Sequence, residues 1–162
     1  MASFVGQEAR VRFFTLEEGP EAGARERAAI SADRRLRGEI LRLRGQIETL
    51  YADTSSEATR DERRAALERE ARARVADLDL AGRDAHDLAE RLRLEDACLA
   101  LTGTYHADTR AYAAVLAGLA GDLPRFIERV LEAAESDAPR AALLGSGPDP
   151  SGGSARTSNA PP

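Results

Sequence analysis

The chain has 162 residues and a mass of 17.4 kDa, with 23 basic against 28 acidic side chains, a net charge of −5, one cysteine and no tryptophan. That size allows one modest domain, the acidic balance argues against nucleic acid as a partner, and a single cysteine excludes an intramolecular disulfide. Without an apolar run of roughly 20 residues, and with Met1-Ala2-Ser3-Phe4 lacking the start of a signal peptide, the sequence reads as a soluble, cytoplasmic protein with no membrane span.

Every cation is arginine and roughly one residue in five is alanine. Both are strong helix formers, and β-branched residues are sparse, so the composition predicts an all-α fold. A first helix, about Ala2 to Glu18, carries Phe4, Val5, Ala9, Val11, Phe13, Phe14 and Leu16, among them three of the four phenylalanines. Gly19-Pro20-Glu21-Ala22-Gly23 then breaks it. From about Glu21 to Asp53 runs a longer helix whose Leu36, Ile40, Leu43, Ile47 and Leu50 follow a coiled-coil-like heptad spacing, beneath faces of arginine and glutamate.

Thr54 and Glu57 have the spacing of a capping box and predict the start of a third helix, carrying Ala66, Leu67, Ala71, Val75 and Leu78. The short connection makes residues 21 to 78 an antiparallel, highly charged helical hairpin, or else a segment that forms a homodimer through the same narrow stripe. After a break at Gly82, the residues Leu88, Leu92, Leu94, Cys98, Leu101 and Tyr105 suggest a further helix face, interrupted near Gly103 and continued by Tyr112, Val115, Leu116 and Leu119. Gly121-Asp122-Leu123-Pro124 reads as a stop and restart. Phe126, Ile127, Val130 and Leu131 would form the buried face of the last helix, and the Gly/Ser/Pro/Ala-rich residues 136 to 162 a disordered tail. The expected architecture is a helical bundle over residues 1 to 135 followed by that tail.

No complete catalytic constellation emerges. His86, His106 and Cys98 are the soft metal ligands, but the two histidines stand twenty residues apart, outside any H-x-x-x-H arrangement. The run from Asp77 to Asp84 begins like a calcium loop and fails at Ala81 and Leu88, which reads as a solvated turn. Asp108 lies two residues after His106, without a serine in a glycine-flanked elbow to complete a triad. The arginine-rich helices are interleaved with acids, the pattern of exposed helices held by side-chain pairs.

Two stretches carry a resemblance. Met1-Ala2-Ser3-Phe4-Val5-Gly6-Gln7-Glu8-Ala9-Arg10 resembles the segment that follows the Asn-Glu motif in a family of predicted bacterial zinc-dependent aminopeptidases. Residues Leu94 to His106 and Gly121-Asp122-Leu123-Pro124-Arg125-Phe126 resemble that family's C-terminal pattern, an Asn-Asn-Ala-x-Leu run leading to Ala-Thr-Tyr and then Gly-Gly-Asp-Leu-x-x-Phe. The hairpin between them has the right place and length, so the resemblance spans about residues 1 to 135.

The resemblance implies a gluzincin-like parent with zinc as cofactor, held by an H-E-x-x-H helix and a later Asn-Glu helix, that hydrolyses N-terminal residues from peptides. Neither metal motif occurs in this chain. In register, the ligand glutamate would fall two residues before Met1. The resemblance therefore implies the C-terminal part of such an enzyme, inactive alone, with a peptide substrate only when the metal-bearing half is present and a cell-envelope location if an upstream signal precedes it. The contrasting expectation is a stand-alone helical module for protein–protein interaction. Glu95-Asp96 replaces the family's Asn-Asn. Tyr105 is the position the resemblance marks as a candidate catalytic residue, its hydroxyl donating to a developing oxyanion.

Overall fold

The computed structural model describes residues 1–53, 57–106 and 108–145. Within them the fold is all-α, as the composition predicts: α1 Ala2–Glu17, α2 Pro20–Ala52, α3 Glu57–Ala76, α4 Ala85–Arg91, α5 Asp96–His106, α6 Thr109–Gly118, α7 Leu123–Ala134 and α8 Pro139–Leu144. By their contacts the described residues fall into two compact units, Met1–Ala114 and 115–145.

The first unit is organised by α2. Gly19, at a φ of 94°, reverses the chain where an L side chain would be strained, and Pro20 opens the helix where its missing N–H costs nothing. This reversal lays α1 antiparallel along the first half of α2. Arg34 reaches back to Gln7 Oε1 at 3.0 Å and Glu8 Oε1 at 2.7 Å, while Arg10 pairs with Glu26 nearer the turn. The helices approach most closely at Gly23, where a Cβ would sit 1.8 Å from Thr15 Oγ1 and 3.2 Å from the Thr15 backbone. Phe4 and Val11 are buried, but Phe13 and Leu16 face solvent, so α1 uses a narrower face than its apolar content suggests.

Along the second half of α2, Leu43, Ile47 and Leu50 of the heptad stripe are buried, as are Ala71 and Val75 of α3. Glu39 pairs with Arg74 at 2.7 Å and Asp53 with Arg63 at 2.9 Å, so numbers rise along one helix as they fall along the other. The antiparallel hairpin is thus the observed arrangement. Thr54 of the expected capping box lies outside the described residues, and Glu57 is the first residue of α3. The stripe is covered within the chain itself: Leu94 and Leu99 join Leu43, Ile47 and Ala71 in one core, with Ile40, Leu67 and Leu92 packed against it. Each fully buried leucine contributes roughly 1.5–3 kcal/mol of hydrophobic stabilisation.

The run from Asp77 to Asp84 is the turn expected of it. Gly82 has a φ of 85°, Asp79 Oδ1 accepts from the Ala81 N–H at 3.0 Å, and Asp84 caps α4 by accepting from the Asp87 N–H at 3.0 Å. In α5 the structure corrects the sequence reading. The helix runs unbroken through Gly103, and its inward residues are Leu99 and Gly103, whereas Leu101 and Tyr105 are 60% and 61% exposed. Gly103 faces α2, with the flexible Arg44 guanidinium lying over it where a Cβ would stand.

In the second unit, Gly121 at a φ of 76° ends one helix and Asp122 caps the next, accepting from the Arg125 N–H at 3.1 Å, as the stop-and-restart motif predicts. Leu123, Phe126 and Ala133 are buried, but Ile127 and Leu131 are exposed, which narrows the buried face expected for α7. α8 falls where the sequence suggested disorder. Pro139 starts it and buried Leu143 anchors it, so the brief Leu143-Leu144 patch suffices for one turn and a half of packed helix. The rest of the expected disordered segment, 146–162, lies outside the described residues. No helix among the described residues is long and apolar enough to cross a membrane.

Candidate functional site

Midway along α2 the first unit opens into a cleft of about 940 Å³. Its long wall is α2 from Ser31 to Arg42, with Gln7 of α1, Leu78 beyond α3, His106 at the end of α5, and Thr109, Arg110 and Ala113 of α6 closing the others. Five arginines line it, namely Arg34, Arg35, Arg37, Arg42 and Arg110, against Glu39 as the acidic wall residue.

These cations are not equivalent. Arg34 is saturated by Gln7 and Glu8 and stacks 4.9 Å from the centre of the Phe4 ring. Arg35 is tied to Asp79, and Glu39 is neutralised from outside the cleft by Arg74. Arg37 has no carboxylate within ion-pair distance among the described residues; its partner is the imidazole of His106, with Nη1 3.0 Å from Nδ1 and 2.6 Å from Nε2. Arg42 and Arg110 form no ion pair among the described residues either.

The contact between Arg37 and His106 fixes a protonation state. A guanidinium only donates, so the facing imidazole nitrogen must accept, which a neutral ring can do and an imidazolium cannot. Burial pushes the His106 pKa below the ordinary value, and the nearby charges of Arg37 and the Met1 ammonium push it the same way.

The other residues singled out from the sequence do not gather here. His86 is exposed on α4, and Cys98 is partly buried on α5. No group of three histidine, cysteine, aspartate or glutamate side chains among the described residues could hold a metal ion, and His106 already faces a guanidinium. The residues present do not fit a zinc site. Tyr105 stands one residue before His106 with its side chain largely in solvent, as is Leu101 one turn earlier, so the face they share is not the buried one.

A family model described as "Putative aminopeptidase" matches residues 1–144. The chain belongs to this family. The match continues past residue 135, where the sequence resemblance stopped, and takes in α8. Neither a curated protein nor a solved structure matches the chain.

Within this aminopeptidase family member, Glu95 and Asp96 have structural work that the sequence did not disclose. Asp96 receives Arg64 Nη1 at 2.6 Å and the Tyr51 hydroxyl at 3.3 Å. Arg64 also donates to Glu68 Oε1 at 2.9 Å, to the Leu94 carbonyl at 3.1 Å and to Tyr51. Three helices, α2, α3 and α5, are thereby joined through one guanidinium. Burial alone would lower the Arg64 pKa, but its hydrogen bonds to Asp96, Glu68 and Tyr51 outweigh that and raise it. Glu95 is paired with Arg93 at 3.2 Å. The one sequence signal for this network was the spacing of Tyr51, Arg64 and Asp96, too long-range to read without the fold.

Proposed function

We propose that this chain is the C-terminal helical part of a zinc-dependent, gluzincin-type aminopeptidase that hydrolyses N-terminal residues from peptides. The carrying observation is the family match over residues 1–144, which spans both units. Two features support the finer reading. The chain contains no H-E-x-x-H or Asn-Glu motif, so the metal-bearing part of the active site is supplied from outside residues 1–162. Gln7 of α1 and His106 at the end of α5 also line one cleft, so a ligand helix continuing into α1 would run toward that cleft.

In this reading the chain's own residues orient the peptide and exclude water, and Tyr105, exposed at the end of α5, donates its hydroxyl to the oxyanion of the attacked carbonyl. The 162-residue chain alone is inactive. The test has two parts. Aminoacyl nitroanilide hydrolysis by residues 1–162 with added zinc is expected to be absent, and zinc-dependent turnover would overturn the inactivity. The genomic DNA should encode an in-frame Asn-Glu two codons before Met1 and an H-E-x-x-H farther upstream; stop codons there would overturn the reading of a longer parent. In the extended protein, Tyr105→Phe should lower kcat by roughly 10²-fold, the scale of one lost oxyanion donor, with KM little changed.

A further inference from the structure

The chain is acidic overall, yet three of the five arginines in its cleft, Arg37, Arg42 and Arg110, form no ion pair among the described residues. Arg37 is partly buried with a neutral imidazole as its partner, an arrangement that costs desolvation without the return of an ion pair. Arg110 approaches the same space from α6 and Arg42 from farther along α2. A planar guanidinium with free donors matches the two oxygens of a carboxylate. Beside these charges, Leu41, Leu78 and Ala113 provide apolar wall, and a cleft of about 940 Å³ is large enough for a short peptide.

We propose that this cleft binds the free C-terminal carboxylate of a short peptide, with Arg37 as the inner cation and Arg110 and Arg42 at the rim. The choice of a peptide rests on the aminopeptidase reading above; the requirement for an anion does not. A site that holds the far carboxylate of its substrate measures length from that end and favours short peptides over folded protein termini. Docking of the carboxylate would also offset the charge of Arg37 and let the His106 pKa rise toward its ordinary value.

The test uses the 162-residue protein, trialanine, trialanine amide and inorganic phosphate at low ionic strength, followed by calorimetry and by the His106 imidazole resonances. Trialanine is expected to bind at least about tenfold more tightly than its amide, the factor supplied by one charge-assisted hydrogen bond, and to raise the His106 pKa. R37Q should abolish the preference for the acid. R110Q, at an exposed position, should independently weaken it, and R12Q, on the exposed face of α1, should leave it intact. Equal binding of acid and amide, binding of neither, or tighter binding of phosphate than of trialanine would overturn the proposal. Such a failure beside an active extended protein would leave the aminopeptidase reading standing. An acid preference beside an inactive extended protein would do the reverse.

Discussion

Two regions of the helical hairpin use the same residue type in opposite ways. Where α3 passes the C-terminal end of α2, the guanidinium of Arg64 is surrounded by acceptors from three helices, and Tyr51 lies beside it with its ring centre 5.8 Å away. Toward the middle, Arg37 meets a neutral histidine and opens into a cleft. The first arginine is spent on holding the fold together, whereas the second retains donors that folding does not use. In a chain whose cations are all arginine, residue type cannot separate the two roles. Local compensation of charge can.

The strongest way to break the comparison is to remove what underlies the first region. Leu43 is fully buried in the core beneath the Arg64 network, so Leu43→Ala should cost about 2–5 kcal/mol in urea unfolding, with the midpoint falling accordingly. A loss below 1 kcal/mol would show that α2, α3 and α5 do not share the core described. Next in size is the direct contrast of the two arginines. Arg64→Ala should destabilise by about 1–3 kcal/mol, because charge-assisted hydrogen bonds to Asp96, Glu68 and Leu94 go together. Arg37→Gln should stay within about 0.5 kcal/mol of the parent, having no ion pair to lose. Comparable losses at the two sites would erase the distinction.

The smallest effect sharpens the cleft. Because the folded His106 pKa is depressed, the unfolded chain takes up a proton first as pH falls. The stability tied to neutral His106 is therefore complete above the ordinary histidine pKa and declines as pH falls from there toward the lower folded value. Unfolding midpoints measured from pH 7.5 downward should show this decline in the parent, and His106→Gln should flatten the histidine-dependent part. A rise in stability over that interval would mean that an acid, not Arg37, faces the ring.

Elements that depend on local chemistry were readable in advance. The break at Gly19-Pro20, the heptad stripe from Ile40 to Leu50, the turn before Asp84 and the restart at Asp122 stand where the sequence places them, because a cap, a positive φ or a repeat is settled by neighbours in the chain. Faces were less secure. Tyr105 and Leu101 have the spacing of a buried stripe but point to solvent, because α5 turns Leu99 and Gly103 inward instead. Ile127 and Leu131 fail in the same way on α7. The cleft was not legible at all: Arg34, Arg37 and Arg42 looked like the solvated face of a charged rod.

By itself, then, the sequence determined the helical class, the approximate limits of α1, α2 and α3, the restart before α7, and the family, for these follow from propensity, capping, periodicity and motif. Tertiary structure alone decided which charges cancel. His106 lies 69 residues from Arg37, Asp96 lies 32 from Arg64, and Arg74 lies 35 from Glu39. No local rule pairs residues so far apart. Only the docking of α3 and α5 along α2 brings them within reach, neutralising one set of arginines and leaving the other open to a ligand.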